Sequence, residues 1–263
     1  MTRRGDILFA PCGFEYKSGD FRVGINFRKD WESGQSFYEN FHERNLIKNE
    51  GKLDIYKKID NETNDVYNKI ILQGDVLDVG GGWGALIKQA NLDPIRYISV
   101  DPLPAQWRQL KRFKQFTDHY SICANAARLV GYAEFLPLAD GTFDVVHMRS
   151  CLDHFSNPIL SLQEAYRVLR ENGKLVIGLS LEGAYKKVDL SNFEKFKNFI
   201  KRLPLADSIR EWVIPDHHMF HPTYENLIKM IELTSFKITQ EVWQSSYHNV
   251  IYFEATKVVP QDN

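Results

Sequence analysis

Two short segments hold the side chains best suited to moving a proton. Cys151-Leu-Asp-His-Phe155 sets a carboxylate and an imidazole side by side, and Asp216-His-His-Met-Phe-His221 puts three histidines into five residues. Histidine titrates near neutrality, so an imidazole within reach of a hydroxyl can serve as a general base. Asp153 beside His154 would orient the ring or bind a substrate hydroxyl; alternatively it is a loop carboxylate that caps the helix starting near Asn157. A metal is the less favoured reading of the histidines. They precede the helix start at Pro222-Thr223 instead of lying at i, i+4 on a helix, and no cysteine or separate carboxylate pattern accompanies them. The expected catalytic residues are His154, His221, His217 and Asp153, with His218 an alternative to its neighbours, and no metal site is expected.

A second concentration of chemistry uses backbone more than side chains. Asp75-Val-Leu-Asp-Val-Gly-Gly-Gly-Trp-Gly84 is an apolar strand that runs into glycines, and a helical pattern begins at Ala85. Glycines permit a tight turn and let the backbone approach a ligand more closely than any Cβ would allow. The next strand, Tyr97-Ile-Ser-Val-Asp101, ends in a carboxylate suited to paired ribose hydroxyls. Strand, glycine loop, helix, strand and acid form a nucleoside-binding half-fold. Gly80, Gly82 and Ala85 satisfy a dinucleotide pattern, yet the glycines fall at every second position after Asp78. That D-x-G-x-G-x-G run resembles motif I of the class I S-adenosylmethionine-dependent methyltransferases.

Periodicity supplies the elements that must position these groups. From Asp75 the chain alternates strand and helix, which predicts a parallel sheet covered on both faces. Strands are expected at 75–79, 97–100, 129–132, 143–148 and 174–179. Asn157 is the N-cap of the helix before the fifth strand, with Pro158 in its first turn, and Thr223 caps another over 224–233. Two alternating strands, 237–243 and 247–256, read as a terminal antiparallel pair. Upstream, residues 1–30, with short alternating pieces such as 21–25, read as irregular chain with a small hairpin, and 35–48 and 61–72 as helices. A long insert, 181–215, contains an amphipathic helix at 192–203; it reads as a lid over the ligand crevice, or equally as a helix docked on the core. The expected division is an N-terminal extension, 1–73, and one domain, 74–263.

Further motifs narrow the resemblance. Gly131-Tyr-Ala-Glu-Phe-Leu-Pro-Leu-Ala-Asp-Gly-Thr-Phe-Asp-Val-Val146, the histidine-containing loop after it and Leu169-Arg-Glu-Asn-Gly-Lys-Leu-Val-Ile177 are similar to ordered blocks of the methyltransferase type 11 family. The resemblance spans roughly 74–180 and implies a Rossmann-like α/β fold with strand order 3-2-1-4-5-7-6, S-adenosyl-L-methionine as cofactor, and helices ahead of the first strand that cover the site. It places Asp78, Gly80, Gly81, Gly82, Trp83, Gly84, Asp101, Pro102, Ala133 and Glu134 around the cofactor. Arg149 would reach the cofactor carboxylate or the substrate, or form a surface salt bridge. Tyr132 stands where the family usually has an aspartate for the adenine amino group, so adenine recognition falls to Ala133, Glu134 or Tyr132 itself. Residues 7–13 resemble a zinc-ribbon opening, but a single cysteine there cannot hold a metal tetrahedrally.

Composition limits the partners. The 263 residues carry a formal net charge of −1 and 43% hydrophobic residues, enough for a full core and no field that draws nucleic acid or anionic membrane. The basic run 106–114 reads as a solvated helix face. Three scattered cysteines, Cys12, Cys123 and Cys151, fit a reducing cytoplasm better than a disulfide framework. The expected function is methyl transfer to a small molecule or glycan, most readily at oxygen, because alcohols need a base and the histidines could provide one. A saccharide is slightly favoured as acceptor, and a homodimer is allowed for. The alternatives are an N- or C-methyltransferase, a non-catalytic cofactor-binding scaffold, and a nicotinamide oxidoreductase sustained only by the overlapping glycines.

Overall fold

The computed structural model describes residues 2–4, 7–9, 63–82, 84–89, 96–102, 126–182, 218–247 and 249–258. The expected lid, the expected helices at 35–48 and 106–114, Trp83, His217, Cys12 and Cys123 lie outside them. Nine strands form one sheet: β1 (Thr2–Arg4), β2 (Ile7–Phe9), β3 (Val76–Val79), β4 (Tyr97–Asp101), β5 (Ala127–Val130), β6 (Phe143–Arg149), β7 (Leu169–Ser180), β8 (Phe236–Trp243) and β9 (Val250–Lys257). Their order is β1-β2-β5-β4-β3-β6-β7-β9-β8. From β5 onward this is the order the resemblance implies. β2 pairs parallel with β5 and antiparallel with β1, so the hairpin of the N-terminal stretch falls at residues 2–9.

The pleat sends alternate residues to opposite faces. On one face Leu77, Val79, Val146, Met148, Leu175, Ile177, Ile251 and Phe253 form a continuous apolar core. Two helices cover it: α2 (Pro158–Val168), which buries Leu162, Ala165 and Val168, and α3 (Tyr224–Leu233), which buries Leu227, Met230 and Ile231. Each helix begins where a side chain accepts from an otherwise orphaned backbone donor: Asn157 Oδ1 from Leu160 N–H at 2.9 Å, and Thr223 Oγ1 from Asn226 N–H at 3.2 Å. The other face mixes Val76, Tyr97, Val145, Val176 and Tyr252 with polar residues, and helical residues 63–67 (α1) set Val66 and Tyr67 against it.

Several elements differ from expectation. The helix expected over 61–72 is helical at 63–67 among the described residues, and the last strand begins at Val250 where 247 was expected. The third expected strand lies at Ala127–Val130, two residues early. β7 starts at Leu169, which pairs with Phe143; the register then jumps to Lys174 opposite Val145, so residues 170–173 bulge out of the strand, with Asn172 at φ 61°. The helix after the glycines is a 3-10 segment, Ala85–Lys88. Arg167 fastens the segment between β5 and β6: its guanidinium donates to the carbonyls of Leu136 and Leu138 and to Glu164 and Asp140 at 2.6–2.8 Å.

Candidate active site

The parallel strands β3 to β7 end on one edge, and the expected site residues gather there. Gly80, Gly82 and Gly84 follow β3 with φ of 70°, 52° and 76°, a left-handed backbone that a side chain would strain. A Cβ on Gly80 would lie 2.6 Å from Cys151 Cβ, and one on Gly81 would lie 2.3 Å from Asp78 Oδ2. Glycine is therefore required by the loop's neighbours as well as by its turn. At the end of β4, half-buried Asp101 accepts from Gly82 N–H through Oδ2 at 3.0 Å. Gly131 N–H donates to Asp101 C=O at 3.2 Å, which holds the turn after β5 against the same carboxylate strand end. Glycine loop, acid and the 131–134 turn thus make one continuous cradle of backbone and carboxylate, a donor and acceptor set that fits an adenosyl group. Half-buried Pro102 continues from Asp101.

Two of the residues placed around the cofactor by resemblance have their carboxylates engaged by the protein. Glu134, 5% exposed, accepts through Oε1 from Ser156 O–H at 2.6 Å and from Asn157 N–H at 3.0 Å. Its neighbour Ala133 is also buried. Asp78 is buried in a chain of polar groups that the sequence reading missed. It accepts from Tyr97 O–H and bonds His147 Nδ1 at 3.0 Å, while His147 Nε2 bonds the Tyr67 hydroxyl at 2.9 Å. Arg149 hydrogen-bonds Tyr67, so its guanidinium faces this chain and α1. Burial pushes the Tyr67 phenol well above its ordinary value, with Tyr252 adding to the rise. The only sequence signal was Asp78 and His147 themselves, each a polar residue inside an apolar strand.

Next along the edge, the turn leaving β6 carries the acid–base residues. Cys151 is buried against Gly80, and its thiol donates to Val79 C=O at 3.2 Å. Leu152–His154 is a 3-10 turn closed by His154 N–H on Cys151 C=O at 2.9 Å. Residues 218–222 are fixed across it at two points. Met219 N–H donates to Asp153 C=O at 2.8 Å, and Pro222 C=O accepts from Glu182 N–H at 2.9 Å. His218 Nε2 thereby comes within 3.6 Å of Asp153 Oδ2, and His154 Nε2 within 3.8 Å of Oδ1. The His154 and His218 rings stack at 4.6 Å, and the His221 ring lies 5.4 Å from that of His218. The structure brings Asp153, His154, His218 and His221 together beside the glycine loop, whereas the helix-capping role considered for Asp153 is taken by Asn157. His218, an alternative in the sequence reading, sits nearer the carboxylate than its neighbour His221.

A methyltransferase domain family of type 11 matches residues 77–177. The ubiquinone/menaquinone biosynthesis C-methyltransferase UbiE of Blochmanniella floridana is 30% identical over 171 residues, 63% of this chain and 66% of that protein. The malonyl-[acyl-carrier protein] O-methyltransferase of Geobacter sulfurreducens is 32% identical over 118 residues, 44% of this chain and 42% of that protein. The chain therefore matches only part of the length of these relatives. Among solved structures, a SAM-dependent methyltransferase from Aquifex aeolicus superposes with a TM-score of 0.52 at 18% identity, covering 78% of this chain and 98% of that one. Sheet order, glycine turn and family match agree, and residues 77–177 form a methyltransferase domain of the type 11 family of class I S-adenosylmethionine-dependent methyltransferases.

Proposed function

We propose that this protein methylates an oxygen of a small-molecule or saccharide acceptor, with an imidazole at the end of β6 taking the acceptor's proton. The observation that carries this reading is the convergence of Asp153, His154, His218 and His221 next to the glycine loop, joined to it by Cys151 packed on Gly80. S-adenosylmethionine, when bound, supplies a methyl group on a sulfonium, which an in-line nucleophile takes as the carbon–sulfur bond breaks. The residues then have separable tasks. Gly80 to Gly84 offer a backbone surface free of Cβ atoms, Asp101 faces the ribose hydroxyls, and Ala133 with the 131–134 backbone borders the adenine. Asp153 supplies negative charge beside the imidazoles, and His154 or His221 accepts the proton from the hydroxyl as the carbon–oxygen bond forms.

Carbon is the second acceptor atom to consider, since one relative is named a C-methyltransferase and another an O-methyltransferase. A screen of hydroxylated acceptors with isotopically labelled cofactor, read by mass and by position of the label, separates the two. Once an acceptor is known, His154→Ala and His221→Ala are expected to divide the base role: the true base should lose about 10²–10⁴-fold in kcat with unchanged binding of S-adenosylhomocysteine. If both variants turn over normally, the histidine base is wrong.

A further inference from the structure

The geometry around Asp153 points to a divalent-cation site, and we propose that Asp153, His154 and His218 hold a first-row transition ion whose open position receives the acceptor oxygen. This rests on the methyl-transfer reading only for the identity of that last ligand. The three residues each present a ligand atom within 4.8 Å of the others. The two nitrogen-to-oxygen separations, 3.6 and 3.8 Å, are too long for hydrogen bonds. They are close to what a shared ion produces: ligand atoms about 2.0–2.2 Å from a tetrahedral centre stand roughly 3.3–3.6 Å apart.

Asp153 supplies an independent observation. Its side chain is 9% exposed, and its buried Oδ1 has no hydrogen-bond partner among the described residues. A buried carboxylate oxygen without a donor is unfavourable unless something else compensates its charge. Both Nε2 atoms converge on this carboxylate, so a cation between them would satisfy the oxygen and all three ligands at once. Two imidazoles and one carboxylate suit zinc, iron or cobalt and disfavour magnesium and calcium, which prefer oxygen ligands. A hydroxyl coordinated there would lose its proton more readily than a free one; with His154 held as a ligand, the proton goes to His221, which stands beside His218. The histidine spacing that argued against a metal does not apply, because the ligands come from two segments joined by the Met219–Asp153 backbone bond.

The test is a Co2+ titration of the full chain after chelator treatment and dialysis, followed by visible absorption and by competition with a chromogenic chelator. One ion per chain is expected, with d–d bands from nitrogen and oxygen ligation, and a hundredfold excess of Mg2+ should not displace it. Asp153→Asn and His218→Ala should each weaken the affinity at least tenfold. His218 is 38% exposed, so its variant keeps the fold. Wild-type affinity in His218→Ala, or no saturable Co2+ site in the parent chain, would overturn the proposal. S-adenosylhomocysteine calorimetry on the same samples is read separately: a bound ion with no cofactor binding keeps the cation site and removes the methyl-transfer reading.

Discussion

The two faces of the sheet are held by different physics. Under α2 and α3 the buried side chains are almost wholly apolar, and their stability comes from volume and close packing. Under α1 the sheet buries Asp78, Ser99 and His147 among Val76, Tyr97 and Tyr252, and each polar group must find a partner or lose hydration without return. An apolar face tolerates exchange of one hydrocarbon for another. The polar face is specified atom by atom, and it is the face that joins α1 to the strand leading into the glycine loop.

The largest effect is expected on the apolar face. Phe253, fully buried in β9, should cost about 3–5 kcal/mol as Phe253→Ala and considerably less as Phe253→Leu, because the loss follows the cavity left behind. Urea unfolding of both variants gives the comparison directly. Equal losses would show that shape at this position matters more than volume.

On the polar face the same volume logic should fail. His147→Phe keeps a ring of similar size but takes one buried partner each from the Asp78 carboxylate and the Tyr67 hydroxyl, which His147 now bonds at 3.0 and 2.9 Å. The expected loss is about 2–3 kcal/mol, with a further drop in protection of the α1 amides by hydrogen exchange. A variant as stable as the parent would mean that this face, too, is held by packing alone, and the contrast between faces would vanish.

A third measurement sharpens the contrast with ion pairs that belong to neither core. At the amino end of β3, Asp75 bonds Arg96 at 2.8 Å and Arg170 at 2.7 Å. The Arg96 hydrogen bond leads in holding its carboxyl down from 3.8 to about 2; burial opposes it, and Arg170 adds to the lowering. A carboxyl lowered by folding stabilises the native state above its unfolded value and loses that contribution as pH falls through its folded value. The window is therefore between about pH 4 and pH 2. Because Arg96 is 56% exposed, solvent screening reduces the contribution to about 1 kcal/mol. The stability difference between the parent and Asp75→Asn should be full at about pH 5 and close to zero at about pH 2. A difference that persists at the lower value would place the contribution in packing.

The same division explains what was legible in the sequence. Caps are local, so Asn157 and Thr223 marked the starts of α2 and α3 to the residue, and short apolar runs marked β3 and β6. Residues 127–132 alternate weakly, and the strand there fell two residues from its expected place. The polar face could not be read, because Tyr67 and His147 are 80 positions apart and meet only once β3 and β6 are neighbours. Nor could the approach of His218 to Asp153, which depends on two backbone hydrogen bonds between segments distant in the chain. The glycine turn and the acid bonded to it were legible because they lie within one strand-turn-strand unit.

The smallest expected effect tests where the two halves of the candidate site meet. Asn157 Oδ1 caps α2, while its own N–H donates to Glu134 in the turn after β5. Asn157→Ala removes the side-chain cap and leaves the backbone bond to Glu134 in place, so the loss should be about 1 kcal/mol. Asn157→Asp, which restores a cap, also brings a second carboxylate close to Glu134. It should therefore recover only part of the loss, and its recovery should improve with added salt as the two charges are screened. Full recovery at low salt would indicate that Glu134 is neutralised by Ser156 and the backbone. In that case the turn after β5 is a hydrogen-bonded brace with little field of its own.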